Sequence, residues 1–516
     1  MTGLPRSLAR FVGACLLVLA IRCGSPSLSE WKEAGGPART LPDISGVTVP
    51  PNIAPLNFKI LESGDRFDVR ISGEGETPIR IRSRSPGIRI PDNRWKGLLG
   101  RQSGDSIRIE IFVRSGGQWT RFQPAVLSVA REPIDTHLVY RRIGPVYMYW
   151  NKMRLVERNL TNFDERSLLD NRDHGTLCMN CHAFAAGDPG RMMVHIRRGP
   201  GTGMLLTGGE TLRNIDTQTD FNPPAAMPAF HPDGGRIAFS VNRFKQFFHA
   251  LGENRDVVDL ASDIILYDIP SNTVTTTPDL SGPDRLETWP AWSADGRTLY
   301  FCRTQQPESW NVPYSEIMQV RYDLAAADFD PASGIFGPVR TVLSAEDTGR
   351  SAAQPRVSPD GRFLLFCMAD YGNFVTFRPS SDLVIMDLES GTIHRAACSS
   401  DRAESWHNWS SNSRWIVFSS KRRDGVVTRP YFAYVDDEGN TRKPFALPHE
   451  DPDYYETDLF NYHLPELITG PVPHSEPDFI RAAYDLPNQI QAGLHPAVQV
   501  STEQARTPEM WLPGKE

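Results

Sequence analysis

A short pattern that recurs four times constrains the fold of this chain more than any other feature of its sequence. Each copy has a short apolar lead-in, a Ser or His, a tight turn and then a run of five or six mostly apolar residues. Three copies carry Asp-Gly in the turn, and Asp-Gly favours the primed turns that join antiparallel strands. The copies are PAFHPDGGRIAFS from Pro228, PAWSADGRTLYFC from Pro290, PRVSPDGRFLLFC from Pro355 and HNWSSNSRWIVFS from His407.

A second hairpin signal follows three of the four copies. The three stretches are DIILYDIPSNTVTTT, DLVIMDLESGTIHRA and YFAYVDDEGNTRKPF. One repeat unit therefore predicts a four-stranded antiparallel sheet. The spacing between copies is longer than a minimal unit needs, so we expect loop insertions between them.

The repeat resembles the WD-like repeat of TolB-type periplasmic β-propellers, whose signature is a proline, a Trp or Phe, then Ser-Pro-Asp-Gly and an apolar strand. Residues 355–366 match it almost in full, whereas Asn412-Ser413 replaces Asp-Gly in the fourth copy. The resemblance implies a C-terminal TolB-like β-propeller over residues 202–480. About six blades are expected, with degenerate copies at residues 203–219 and from residue 428 onward.

The N-terminal part also predicts β structure. Residues 56–135 contain short alternating runs such as FDVRIS and SIRIEIFV, separated by Gly, Asp, Ser and Pro clusters, which is typical of a β-sandwich of immunoglobulin type. Residues 24–55 are interpreted as a Pro-rich linker and residues 481–516 as a C-terminal tail. The predicted fold class is therefore mainly β.

Between the predicted sandwich and propeller, residues 136–201 show a different pattern. Apolar residues at helical spacing predict a short amphipathic helix over residues 147–158, and a second short helix is expected over residues 189–197. The rest of this segment is polar, without sustained strand periodicity. It is expected to be a small connector that holds the chemistry of the chain.

The first 23 residues predict an export signal. Arg6 and Arg10 precede an apolar run over residues 11–21, which is short for a bilayer span. Cys23 follows this run, so two interpretations stay open: a lipidated Cys23 that anchors the chain to a membrane, or an unmodified signal. Both place the rest of the chain in the periplasm or on the periplasmic side of the inner or outer membrane.

The segment Cys178-Met179-Asn180-Cys181-His182 carries the predicted chemistry. Two cysteines separated by two residues can reach the two vinyl groups of one porphyrin, and the histidine that follows is placed as an axial ligand of the iron. Export agrees with this interpretation, because haem c is attached outside the cytoplasm. The sequence therefore predicts one covalently attached haem c, with Cys178, Cys181 and His182 binding the cofactor.

Two other interpretations of the motif stay open. A structural zinc site needs two more ligands, and His174 and His195 are available for that role. A redox-active or disulfide pair is the third reading, although the βαβ context of a thioredoxin-like site is not visible. The remaining globular cysteines, Cys302, Cys367 and Cys398, are expected to be buried and inert.

The sixth iron ligand decides what a haem does, and His195 is the predicted one. It follows the motif on the expected second helix, and it is the most strongly ligating residue there. A methionine in its place would raise the reduction potential. The alternatives are Met192, Met193, Met204 and His174, while Arg197 and Arg198 are candidates for pairing with the haem propionates.

The order of segments is similar to that of exported proteins with one CxxCH ahead of a TolB-like propeller. That resemblance implies haem c and a propeller, and no defined activity.

Electron transfer to an unidentified redox or envelope partner is the favoured function. The alternatives are a scaffold with a structural haem and a haem enzyme such as a peroxidase. A serine hydrolase is disfavoured because the sequence has no GxSxG, and no catalytic residues are assigned. A net charge of -7 argues against nucleic acid as a partner.

Overall fold

The chain is described here from a computed structural model that covers residues 30–144, 152–172, 177–198, 202–248, 255–307 and 314–498. It is mainly β, which confirms the predicted fold class at that level. Its helices are short: α1 Asp92–Arg101, α2 Tyr314–Ile317, α3 Ala345–Thr348, α4 Tyr454–Thr457 and α5 Glu476–Tyr484, with single 3-10 turns at Val375–Phe377 and Leu486–Asn488.

The N-terminal region forms two sheets around α1. A seven-stranded sheet has the order β1-β9-β8-β10-β3, with β5 paired to β8 and β6 paired to β5, and a three-stranded sheet has the order β2-β4-β7. The strands are β1 Trp31–Pro37, β2 Thr40–Leu41, β3 Thr48–Val49, β4 Phe58–Ile60, β5 Arg66–Ser72, β6 Ile79–Ser83, β7 Gly87–Ile88, β8 Ser106–Ser115, β9 Gln118–Gln123 and β10 Ala125–Val129.

The predicted linker is not a linker where the structure describes it. Strand β1 pairs with β9, β2 with β4, and β3 with β10, so residues 31–49 belong to the two N-terminal sheets. Val47, Val49 and Ile53 are fully buried in their core. Prolines and glycines suggested a flexible segment, but backbone pairing and these apolar side chains hold it in place.

The rest of the described chain contributes strands β11 to β36. They are β11 His137–Ile143, β12 Met153–Asn159, β13 Glu165–Asp170, β14 Cys178–Phe184, β15 Met192–Arg198, β16 Gly203–Gly208, β17 Thr211–Asp216, β18 Ala226–Phe230, β19 Arg236–Phe248, β20 Arg255–Asp268, β21 Thr273–Thr275, β22 Arg285–Trp292, β23 Thr298–Gln305, β24 Asp323–Asp330, β25 Ile335–Leu343, β26 Ser351–Val357, β27 Phe363–Ala369, β28 Asp382–Asp387, β29 Ile393–Arg395, β30 Glu404–Trp409, β31 Trp415–Ser420, β32 Arg429–Tyr434, β33 Phe445–Ala446, β34 Asn461–Ile468, β35 Ile490–Gln491 and β36 Gly493–Leu494.

These strands form six sheets of the same kind. Five contain four consecutive antiparallel strands each: β14–β17, β18–β21, β22–β25, β26–β29 and β30–β33. The sixth combines β34 from the end of the chain with β11, β12 and β13 from much earlier. The first strands touch in a continuous cycle, because β14 contacts β18, β18 contacts β22, β22 contacts β26, β26 contacts β30, β30 contacts β34, and β34 contacts β14.

The predicted C-terminal tail also takes part in the fold. Strand β35 extends the sheet of β17 and β36 extends the sheet of β21, both in parallel register. Phe479 and Ala483 of α5 are buried in the apolar cluster that contains β13 and β14. Residues 486–494 therefore cover the outer edges of two sheets.

The N-terminal sheets share one apolar core with the sheet of β30–β33. Trp415, Phe432 and Phe445 from that sheet lie in the same buried cluster as Ile53 and Trp95. Trp415 is fully buried, and its indole nitrogen donates a hydrogen bond to Glu132 O at 3.0 Å. The two regions are therefore joined through their interiors.

Both predicted helices near the CxxCH motif are wrong in the described residues. Residues 153–159 form β12, paired with β11 and β13, and residues 192–198 form β15, paired with β14 and β16. Short apolar runs fit either period, and the neighbouring strands decide the outcome. Residues 145–151 of the first predicted helix lie outside the described residues.

The Asp-Gly turns of the repeat differ from the predicted primed type. In each, only the glycine has a positive φ, as for Gly361 at 76°, and its N–H donates to the residue three positions earlier. A primed type I turn needs positive φ at both central residues. The glycine instead takes the left-handed position after a turn, and Ser413 takes it in the fourth copy with a φ of 60°.

Candidate functional site

The CxxCH motif lies on β14, the first strand of its sheet, at a bulge. Pairing with β15 runs from Met179 opposite Ile196 to His182 opposite Val194, which leaves one extra residue in β14 at Asn180-Cys181. The other five first strands have the same irregularity. It falls at Met227-Pro228, Trp289-Pro290, Gln354-Pro355, Trp406-His407 and Leu464-Pro465.

The two cysteines of the motif are free thiols in different apolar clusters. Cys178 packs with Phe184 and Met192, whereas Cys181 packs with Met227 and Trp289. Burial raises the pKa of the Cys181 thiol despite nearby arginines that lower it. A protonated, buried thiol is neither a good nucleophile nor a ready zinc ligand, so the structure offers no support for an activated redox cysteine.

Arg141 of β11 holds the middle of the motif. Its Nη1 donates to the Asn180 side-chain oxygen at 2.9 Å and also to the Asn180 backbone oxygen. The pKa of Arg141 is lowered mainly by burial, and both motif cysteines act on it electrostatically. No local pattern in the sequence points to Arg141, because it belongs to a strand about forty positions upstream that pairs with β34 rather than with β14.

His182 is buried, with only 2% of its surface exposed, and its ring faces the backbone of Val139 and Leu464, which act on it as weak hydrogen-bond partners. Burial, with a smaller contribution from Arg141, lowers the pKa of His182 to about 3. The imidazole is therefore neutral at physiological pH. A neutral imidazole is the form that binds a metal.

His195, on the neighbouring strand, is also buried. It is 3% exposed, both ring nitrogens lack a hydrogen-bond partner, and burial lowers its pKa to about 3. The sequence predicts both histidines as ligands, but it does not reveal the register of their strands.

The register separates the two histidines. His182 lies opposite Val194, and residues opposite each other in a sheet project from the same face. His195 follows Val194 directly, so it projects from the other face, on which its partner in β16 is Met204. The predicted pair of His182 and His195 around one iron is therefore incompatible with this sheet.

The other predicted iron ligands are also divided between the two faces of the sheet. Met192 lies opposite Phe184 and packs in the cluster that contains Cys178, on the face of His182. Met193 and Met204 pack together on the opposite face. His174 lies outside the described residues, and Arg197 is exposed. Met192 is thus the candidate for the sixth ligand that shares a face with His182.

Within the described ranges, no group of three or more His, Cys, Asp or Glu residues is placed to hold a metal ion. A zinc site at the motif would need such a group, and His174, one of its predicted ligands, lies outside these ranges. A haem needs only axial ligands from the protein, because the porphyrin supplies the other four nitrogens. The free thiols and the buried, neutral His182 fit the donor set of haem c, whereas the extended strand keeps the two sulfurs in different clusters.

The buried imidazole of His195 predicts a specific pH dependence. The pKa of His195 is about 3 in the folded chain and about 6.5 in an unfolded one. The unfolded state therefore binds more protons between these values, so the free energy of unfolding falls as the pH drops below about 6.5. A His195→Leu variant of the haem-free chain lacks this effect. Its free energy of unfolding, relative to that of the wild type, should therefore rise by about 1.4 kcal/mol for each unit by which the pH is lowered from 6.5 to 4.5.

Urea unfolding at a series of pH values measures this difference. The matched control is His495→Leu, because His495 is exposed in the folded chain. This variant should keep the fall in stability below pH 6.5, because it retains His195. A constant difference for His195→Leu would mean that the imidazole has access to water or to a partner.

No family model matches this chain, and no curated protein matches it. Among solved structures it is similar to a luciferin-regenerating enzyme at 10% identity, covering 61% of this chain and 92% of that one, with a TM-score of 0.34. It is also similar to an oligogalacturonate lyase from Vibrio parahaemolyticus at 10% identity, 58% and 92% coverage and a TM-score of 0.32. It is similar as well to a chain of a nidogen/laminin complex at 9% identity, covering 64% of this chain and 98% of that one, with a TM-score of 0.37. These values assign neither a family nor an activity.

In the part of the chain described here, no helix has both the length and the apolar character needed to cross a membrane. The predicted signal and Cys23 lie outside the described residues.

Proposed function

We propose that this chain is an exported protein that carries one haem c, bound through Cys178 and Cys181 and with His182 as an axial ligand, and that transfers single electrons. The observation that carries the proposal is the buried, neutral His182 imidazole, which directly follows two free thiols in the CxxCH motif. The two free thiols of the motif support it. When bound, the haem would supply an iron that accepts and releases one electron.

The residues of the chain would bind and orient this group. Arg141 fixes the backbone between the two cysteines, and Arg141, Arg197 and Arg356 all place positive charge near Cys181. Positive charge at this place favours the acidic propionate groups of a haem. The buried, apolar surroundings of the motif would keep water away from the iron. Exclusion of water raises the reduction potential of a haem.

Attachment would have to precede the closing of the sheet. Both thiols are buried in the folded chain, with exposures of 7% for Cys178 and 5% for Cys181. In the extended strand they also lie in different clusters, whereas both must reach one porphyrin. The haem-bound segment 178–182 therefore requires a local conformation other than this strand.

The six sheets would form a single six-bladed propeller of TolB-like type, with a β-sandwich formed by the N-terminal sheets. The cycle of contacts among first strands supports the blade count, and the pairing of β34 with β11 would close the ring. The propeller and sandwich would serve as the docking platform for a redox partner in the envelope. The chain would be periplasmic, with a lipidated Cys23 as a possible anchor to a membrane.

An optical spectrum of the protein, purified from cells that attach c-type haem, tests the proposal and the sixth ligand together. The wild type should show a low-spin haem that is reversibly reduced. Segment 178–182 changes conformation when haem is bound, but β15 can keep its pairing with β16, in which Met192 and His195 project from opposite faces of β15. Met192→Ala should then change the spectrum towards high spin, and His195→Ala should leave it unchanged. A change in the His195 variant alone would mean that β14 and β15 separate when haem is bound.

A further inference from the structure

A small cavity lies beside the motif, where the bulges of several first strands meet. Its lining includes Trp289 of β22, Gln354 of β26, Trp406 of β30 and Glu466 of β34, together with Arg356. The first three of these residues have positive φ values of 56°, 56° and 51°. Large side chains rarely adopt this conformation, and here it occurs at equivalent bulges around one point.

Three of these side chains bring buried hydrogen-bond donors without acceptors. The indole nitrogens of Trp289 and Trp406 and the amide nitrogen of Gln354 are shielded from solvent and have no partner. Trp289 and Gln354 are each 3% exposed. The two indole rings meet edge to face, with centroids 5.4 Å apart. Donors that are desolvated and unpaired cost free energy unless a ligand satisfies them.

The orientation of the Gln354 amide is set by its neighbours. Its oxygen accepts a hydrogen bond from the Trp406 backbone N–H at 2.7 Å and a longer one from Cys367 Sγ at 3.9 Å. The oxygen is therefore fixed on the side of β30. The NH₂ group is left as a donor of two hydrogen bonds, neither of which is used within the protein.

The charges at the cavity favour an anion. The guanidinium of Arg356 remains the cationic group of the cavity and interacts electrostatically with Glu466 and Cys181. Glu466 accepts a hydrogen bond from Phe184 N at 3.0 Å, and burial raises its pKa to about 7. In a large fraction of the molecules Glu466 is therefore neutral at pH 7. In those molecules the positive charge of Arg356 is not balanced by Glu466.

A single water molecule does not satisfy this set of groups. Water accepts two hydrogen bonds, whereas two indole N–H groups and the two amide hydrogens of Gln354 already offer four. A carboxylate has two oxygens with about four acceptor positions, and it carries the charge that complements Arg356. We infer that this cavity is a binding site for a carboxylate group.

The inference goes beyond electron transfer, and it does not require haem. The carboxylate would come from one of two sources. One is a free small carboxylic acid or the end of a peptide. The other is a propionate of the attached haem, because Arg356 and Cys181 are electrostatically coupled.

The test uses the full chain labelled with 5-fluorotryptophan, and sodium acetate is the probe. The fluorine signals of Trp289 and Trp406 are assigned from the variants Trp289→Phe and Trp406→Phe. Acetate should shift both signals saturably in the haem-free chain, and sodium chloride at the same concentration should not. Trp95 is the internal control, because it is buried but its indole nitrogen already donates to Ile53 O at 3.1 Å.

Gln354→Glu is the matched variant. A glutamate keeps the oxygen that accepts from Trp406 N, so the fold should be retained, but it replaces the NH₂ donor with a negative oxygen. Acetate should bind this variant at least about tenfold more weakly, since a hydrogen bond to a charged group is lost and a repulsion is added.

Comparison of haem-free and haem-loaded chains separates the two sources. If the signals of Trp289 and Trp406 respond to acetate in both forms, the site binds a free carboxylate. If haem loading itself moves both signals and removes the response to acetate, the haem propionate occupies the site. If neither acetate nor haem loading moves them, the cavity holds water only and the inference is wrong. A colourless protein that still responds to acetate would overturn the haem proposal and leave this site intact.

Discussion

A chain in which Cys178 and Cys181 are both replaced by alanine is expected to leave haem-c-producing cells without covalent haem, while the wild type carries one haem per chain. The expected loss is complete, because the two thioether bonds are the covalent link between protein and porphyrin. Haem staining after denaturing electrophoresis measures it, since only covalently bound haem survives denaturation. His182→Ala should keep the stain but lose the low-spin spectrum.

Cys302→Ala is the matched control for this experiment. Cys302 is a free, fully buried thiol of β23, and burial raises its pKa far above the usual range. Its loss should leave the haem content at one per chain. A wild-type protein that emerges colourless, with zinc or two free thiols at the motif, would refute the haem proposal, so the zinc content is measured on the same samples.

Replacement of Trp415 by alanine is expected to lower the free energy of unfolding by about 3–5 kcal/mol. Trp415 is fully buried in the core shared by the N-terminal sheets and the sheet of β30–β33. The variant loses edge-to-face contacts with Tyr434 and Phe445 and the hydrogen bond to Glu132 O. The cavity left behind adds to the cost, because a core rarely collapses around so large a deletion.

Urea unfolding followed at two signals, one from each region, measures this effect. Trp31→Ala is a control of equal size, because Trp31 is 38% exposed at the edge of the N-terminal sheet. It should cost well under half as much. Since Trp415 belongs to both regions, its loss should lower both unfolding midpoints. A shift of one midpoint alone would show that the N-terminal sheets unfold independently.

The repeat was informative because its pattern is local. Each copy spans the end of a first strand, a turn and a second strand, and all four second strands are found, at β19, β23, β27 and β31. The seven residues of β27 are all buried, as are the six of β31, and this explains their continuous apolar sequence. Sequence alone also predicts that strands dominate the chain.

The segment around the motif was harder to interpret. In MMVHIRR the residues Met192, Val194 and Ile196 pack on one face, and Met193 packs on the other, which is the period of a strand. In a run of seven residues this period is easily taken for a helix. The strands within residues 31–49 are also hidden from a local pattern, and the sequence predicts a linker there. Their pairing partners β4, β9 and β10 are distant in sequence.

By itself the sequence determined which chemical groups are present and in what local order: two cysteines and a histidine at haem c spacing, and a repeated unit of strand, turn and strand. Only the tertiary structure decided where those groups point. It placed His182 and His195 on opposite faces of one sheet, and it brought Trp289, Gln354, Trp406 and Glu466 to one cavity from four different strands. The physical reason is that strand register and the packing of one sheet against the next depend on residues far apart in the chain, which no local pattern records.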